Sequence, residues 1–131
     1  MATNEMHDEV EEYLGTMPSF IEAMSDSTAE HGWGIMRDLE LGETELPGRE
    51  KALIGVGVAA ALQCPYCTYF HTEEATLNGA SESEIEEAAN LAAATRFFST
   101  ILHGAGIDHD EFVEETDAIV DHIESQHAEA E

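Results

Sequence analysis

The run REKALIGVGVAAALQ, from Arg49 to Gln63, constrains the fold more than any other stretch of this chain. It is much longer than an ordinary strand of about 5–6 residues, and it is rich in alanine, the strongest helix former. It therefore reads as a helix, and its small side chains let a neighbouring helix approach closely. Gly55 and Gly57 oppose that reading, since a mid-helix glycine costs about 1 kcal/mol relative to alanine. Strand-like alternation of apolar and polar residues occurs nowhere in the sequence, so the expected fold is an all-α helical bundle.

The other boundaries are marked by local chemistry. Apolar residues recur at helical spacing from Glu5 to Leu14 and from Pro18 to Met24, with Pro18 tolerated in a first turn. A weaker helical segment follows over 27–42, interrupted by Gly32 and Gly34. Met17, Phe20, Met24, Trp33 and Met36 are the expected packing residues of this front part. GETELPG, residues 42–48, is a loop. Pro65 lacks a backbone N–H but fits the first turn of a new helix, which should run to Leu77 and end on a left-handed cap at Asn78-Gly79. Ser81 and Glu84 form a capping box that opens a helix over 82–102. Asp108, with Glu111 three residues on, starts a last acidic helix expected to fray after Ile123.

Charge narrows the setting. The 131 residues hold 29 Asp and Glu against four Lys and Arg, a formal net charge of -25. At low salt such a chain strains against its own repulsion, whereas at about 1 M salt the Debye length falls to about 3 Å and the carboxylates serve to keep the surface hydrated. A salt-accumulating, halophilic cytoplasm is the expected setting. The absence of a basic patch argues against binding nucleic acid. No apolar run approaches a membrane span, and the acidic opening MATNEMHDEVEEY is unlike a secretory signal, so no membrane partner is expected.

Both cysteines lie in CPYCTYFH, residues 64–71. If Pro65 opens a helix, a rotation of about 100° per residue places Cys64, Cys67 and His71 within an arc of about 60°. Thiols at a helix N-terminus meet unpaired N–H groups and the positive end of the dipole, which favour thiolate, and a histidine one turn on can accept a proton. These residues suit a reactive dithiol. They also suit zinc, with His103 or a water as fourth ligand, or two inert buried thiols. CPYC occurs in glutaredoxins too, but there it follows a strand in a βαβ unit, and no proline follows Pro65 here. The other histidines, His7, His31, His103, His109, His122 and His127, read as solvated or capping residues, and Tyr69 as a packing aromatic.

From Arg49 to about Gly104, the small-residue helix, CPYCTYFH and the following HTEEATLNGAS resemble the core of the carboxymuconolactone decarboxylase and alkylhydroperoxidase D superfamily, in its CxxC-bearing, peroxidase-like branch. The resemblance implies an N-terminal helical extension at 1–47, a CxxC-containing family core at 48–106 and an acidic C-terminal helix at 107–131, within a single domain. It implies an oligomeric assembly, a homotrimer or homohexamer, and a thiol-dependent peroxidase or thiol–disulfide oxidoreductase. Cys67 would attack a small-molecule peroxide, Cys64 would resolve the sulfenic acid as a disulfide, and His71 would belong to the proton relay. A thiol or lipoyl-type reductant would close the cycle, with no cofactor and no metal.

The family's relay glutamate would fall at Ala52, so Glu50 is a possible accessory in its place, and Tyr66 stands where some members carry a second histidine. A phenol, with a pKa of about 10, is a weak base at neutral pH. The alternatives are a decarboxylase-type non-redox enzyme and a non-catalytic redox or metal sensor.

Overall fold

The structure, a computed structural model, describes residues 4–130. Among them are seven α-helices and no strand. Three helices make the front part: α1 (Asn4–Leu14), α2 (Ser19–Glu22) and α3 (Asp26–Ile35), the last running on into a π-helical turn, Met36–Glu40. Met6, Val10, Ile21, Ala29, Trp33 and Met36 are buried together, with Met17 and Met24 packed against them. Burying side chains of this size stabilises by about 1.5–3 kcal/mol each. Phe20, expected among them, is exposed instead; its neighbour Ile21 points into the core. The indole Nε1 of Trp33 donates to Glu9 Oε1 at 2.7 Å, and Nη1 of Arg37 donates to the same oxygen at 2.7 Å. That pair satisfies the one polar atom Trp33 carries into the core.

The loop after Glu40 is fixed by the single lysine. Lys51 Nζ donates to Leu39 O (2.7 Å), Gly42 O (2.8 Å) and Thr44 Oγ1 (2.8 Å). It thereby ties the loop to the first turn of α4 (Gly48–Leu62), whose glycines do not interrupt it. Ala52, Val56 and Ala59 are buried at spacings of four and three, one stripe of the helix. This stripe faces α5 (Pro65–Leu77), and Ala52 joins Ala75 and Ala80 in a shared cluster. Residues 52 and 55 of α4 lie against 75 and 71 of α5 respectively, so the two helices form an antiparallel hairpin.

The turn of that hairpin has an unusual residue at its centre. Gln63 is left-handed (φ 58°, ψ 41°), and its N–H donates to Ala60 O (3.1 Å) while the Cys64 N–H donates to Ala59 O (3.1 Å). The same pair of bonds closes α5 at Gly79 (φ 88°), where the left-handed cap was expected. Glycine adopts this conformation freely; glutamine does not. The capping box then opens α6 (Glu82–Ala105), with the Glu84 N–H donating to Ser81 Oγ (3.1 Å) and the Ser81 N–H to Glu84 Oε1 (2.9 Å). Arg49 pairs with both Glu50 and Glu84, linking the starts of α4 and α6.

Contacts divide the chain into a compact unit that ends at Asn90 and a second that begins at Leu91. The second holds the rest of α6 and α7 (His109–Ala130), which Asp108 caps by accepting from the Glu111 N–H at 3.0 Å. Both helices run past their expected ends, α6 to Ala105 and α7 to Ala130. Neither buries a residue; Phe97, Phe98, Ile101, Phe112, Ile119 and Val120 all face out.

Candidate functional site

Cys64 sits between the two helices of the hairpin, at the N-cap position of α5, in extended backbone (φ -97°, ψ 103°). Its Sγ accepts the N–H of Cys67 at 3.2 Å, using one of the donors that a helix start leaves unpaired. Cys64 and Cys67 are joined as a disulfide, with Cα atoms 5.4 Å apart, inside the ordinary range of about 4.4–6.8 Å. The local chain explains the approach: the left-handed Gln63 ends α4 abruptly, Pro65 starts α5 at once, and Cys64 is left at the mouth of the new helix. Both sulfur residues are half-buried.

An open groove of about 520 Å³ runs beside Cys64, bounded by Ala60 and Gln63 on the α4 side and by Pro65, Thr68, Tyr69 and Thr72 on α5. Tyr69 was expected to pack; in this chain it is exposed and forms part of the groove wall. Tyr66 is 85% exposed and points away from any core.

His71 follows Cys67 by four residues on α5, one turn along the same face. Its ring lies against α4 at Gly55, edge-on to Phe70 with centroids 5.5 Å apart. The carboxylate it meets is Glu74, whose Oε1 is 3.1 Å from Nδ1. Among the positions weighed in sequence, Ala52 is fully buried against α5 and Glu50 is held by Arg49 at 2.9 Å. Sequence reasoning looked for the partner of His71 on the preceding helix and passed over Glu74. The signal was present in HTEE, since residues three apart on a helix are neighbours.

His103, named as a possible zinc ligand, has Nδ1 2.8 Å from the carbonyl oxygen of Ser99 on its own helix. Among the described residues no three His, Cys, Asp or Glu side chains converge as metal ligands. No helix of the described residues is long and apolar enough to cross a membrane.

Comparison with known proteins agrees with this architecture. The sequence model of the carboxymuconolactone decarboxylase family matches residues 22–110. The chain is 40% identical over 58 residues to "Uncharacterized protein 4 in cox locus" of Paracoccus denitrificans, a match over 44% of this chain and 52% of that protein. The chain thus spans about half the length of that relative. The crystal structure of a protein from Methanobacterium thermoautotrophicum superposes with a TM-score of 0.57 at 36% identity, covering 67% of this chain and 97% of that one. The segment matched to the Methanobacterium structure shares its fold.

Proposed function

The chain belongs to the carboxymuconolactone decarboxylase family, and on that premise we propose that it is a thiol-dependent peroxidase, a thiol–disulfide oxidoreductase working through Cys64, Cys67 and His71. The observation that carries this reading is the bonded pair of sulfurs at the start of α5. A redox cycle needs two thiols that can reach each other without rebuilding the backbone, and a Cα separation of 5.4 Å meets that need.

The cycle begins with both cysteines reduced. His71 takes the proton of Cys67, whose thiolate attacks one oxygen of a hydroperoxide. The O–O bond breaks, Cys67 becomes a sulfenic acid, and the departing alkoxide receives the proton and leaves as an alcohol. Cys64, whose sulfur is held by the Cys67 N–H at 3.2 Å, then attacks the sulfenic sulfur; water leaves and the disulfide forms. A dithiol reductant, a protein thiol pair or a lipoyl-type group, takes up the oxidation in turn: it becomes a disulfide and both cysteines regain their protons. The groove beside Cys64 gives such a reductant access to a sulfur. A cytoplasm that keeps thiols reduced suits this cycle.

Self-association belongs to the same reading, as a trimer or hexamer. It is supported by the apolar side chains that α6 and α7 present outward, which a lone chain would leave in water.

The test is a titration of free thiols in high salt, before and after about one equivalent of peroxide, on wild type, Cys64→Ser and Cys67→Ser. Expected are loss of both thiols in wild type and a trappable sulfenic acid on Cys67 in Cys64→Ser. Thiols that stay free under peroxide would overturn the reading.

A further inference from the structure

We infer that Glu74 is a positioning residue for His71: its carboxylate holds the imidazole proton on Nδ1 and so leaves Nε2 as the proton acceptor for the dithiol. The inference rests on the thiol chemistry proposed above and adds a residue to it.

The first argument is hydrogen-bond bookkeeping at a single atom. An ionised carboxylate can only accept, so the 3.1 Å contact between Glu74 Oε1 and Nδ1 requires the proton to be on Nδ1. A neutral imidazole has one such proton, and Nε2 is then the ring's lone-pair nitrogen. With Nδ1 engaged by Glu74, a base that serves Cys67 does so through Nε2.

The second argument is burial. In a chain whose acids mostly face solvent, the Glu74 side chain is 10% exposed and His71 beside it 18%. A solvated pair three residues apart on a helix contributes only about 0.2–0.5 kcal/mol and holds neither ring nor carboxylate in one pose. This pair is shielded. Glu74 Oε2 is also buried and has no hydrogen-bond partner among the described residues. Keeping a carboxylate oxygen from water unpaired is unfavourable, a cost that the bond of the other oxygen to His71 must offset.

The third argument is that the hairpin is shaped around the ring. A Cβ at Gly55 would stand 2.5 Å from Nδ1 and 2.6 Å from Cγ of His71, so only glycine on α4 lets the imidazole occupy this place. The Phe70 ring stands nearly perpendicular to it, with centroids 5.5 Å apart. Ala52, the α4 position from which a carboxylate could otherwise have come, is closed by its contact with Ala75. The ring is thus bounded by Gly55, Phe70 and Glu74, and Glu74 is the only one of the three that selects a tautomer.

The experiment is nitrogen-15 NMR of the imidazole signals in reduced wild type, Glu74→Gln and Glu74→Asp, with His71 assigned by its loss in His71→Asn. Rates of thiol oxidation by stoichiometric peroxide are read on the same samples. Wild type is expected to carry the proton on Nδ1. Glu74→Gln, the same shape without the charge, should populate the other tautomer and slow oxidation about tenfold or more, a share of the usual general-base contribution of about 10²–10⁴. Glu74→Asp should recover part of both. A proton on Nε2 in wild type, or an unchanged tautomer and rate in Glu74→Gln, would overturn the inference. Should Glu74→Gln fail to fold, the wild-type tautomer alone decides. If wild type does not react with peroxide, the proposed function fails, while the tautomers of wild type and variant still decide the role of Glu74.

Discussion

Gly55 on α4 and His71 on α5 share one volume of space: a methyl group at residue 55 would fall 2.5 Å from the Nδ1 of His71. Gly55→Ala sets two effects against each other. Alanine gains about 1 kcal/mol of helix propensity, while overpacking a close contact costs about 1–3 kcal/mol. The second should win or the two should nearly cancel, and in either case the ring must move. The expected outcome is a protein between equally stable and about 2 kcal/mol less stable by urea denaturation, with thiol oxidation slowed well beyond the stability change. Gly104, in α6 with nothing within 4 Å of the place an added Cβ would take, is the matched control: Gly104→Ala should leave the oxidation rate unchanged.

Gln63→Gly should stabilise the fold. A left-handed backbone is unfavourable by roughly 1–2 kcal/mol for a residue with a Cβ, and the greater freedom of unfolded glycine takes back about half of that. Because φ at Gln63 is 58°, the expected gain is about 0.5–1 kcal/mol, read as a higher urea midpoint at unchanged slope. A loss of stability would mean that the glutamine side chain makes up for its own backbone.

Acid should loosen the front part through Glu9. Its carboxyl lies below the ordinary 4.5, chiefly because Arg37 and then Trp33 donate hydrogen bonds to it. A lowered folded-state value means that this contribution is complete above pH 4.5 and is lost as the pH falls through the lower folded value. Trp33 is the single tryptophan and bonds directly to Glu9, so its fluorescence reports the event. Wild type and Glu9→Gln should differ in stability at neutral pH and converge in acid; a constant difference would remove Glu9 as the cause.

Salt should stabilise the fold. Arg37, Arg49 and Lys51 are all engaged in the first unit, whereas α7 carries acids from Asp110 to Glu129 with no lysine or arginine. Raising potassium chloride from about 0.1 M to about 1 M shortens the Debye length from about 10 Å to about 3 Å. The thermal midpoint should climb across that range and then level off. A flat midpoint would show that repulsion among these carboxylates does not limit stability.

The sequence by itself determined the elements that depend on neighbours along the chain. Ser81 with Glu84, Asp108 with Glu111, Gly79, and Cys64 followed by Pro65 are caps and turns, complete within a few residues, and each lies where its pattern places it. The all-α class follows from the same local signals, and so does the placing of Cys64 and Cys67 together at a helix start, whereas their joining is one of several readings that the sequence leaves open.

Tertiary structure decided what depends on residues distant in sequence. Whether Ile21 or Phe20 enters the core is set by how α2 lies on α1 and α3, which no local pattern records. Gly55 looked like a flaw in a helix until α5 brought a ring against it. The partner of His71 is decided in the same way: a carboxylate three positions or one helix away is equally plausible on paper, and the close alanine contact of the hairpin closes α4 and leaves Glu74. Caps are governed by hydrogen bonds of fixed sequence spacing, whereas a buried site is governed by which side chains the packing of two helices excludes.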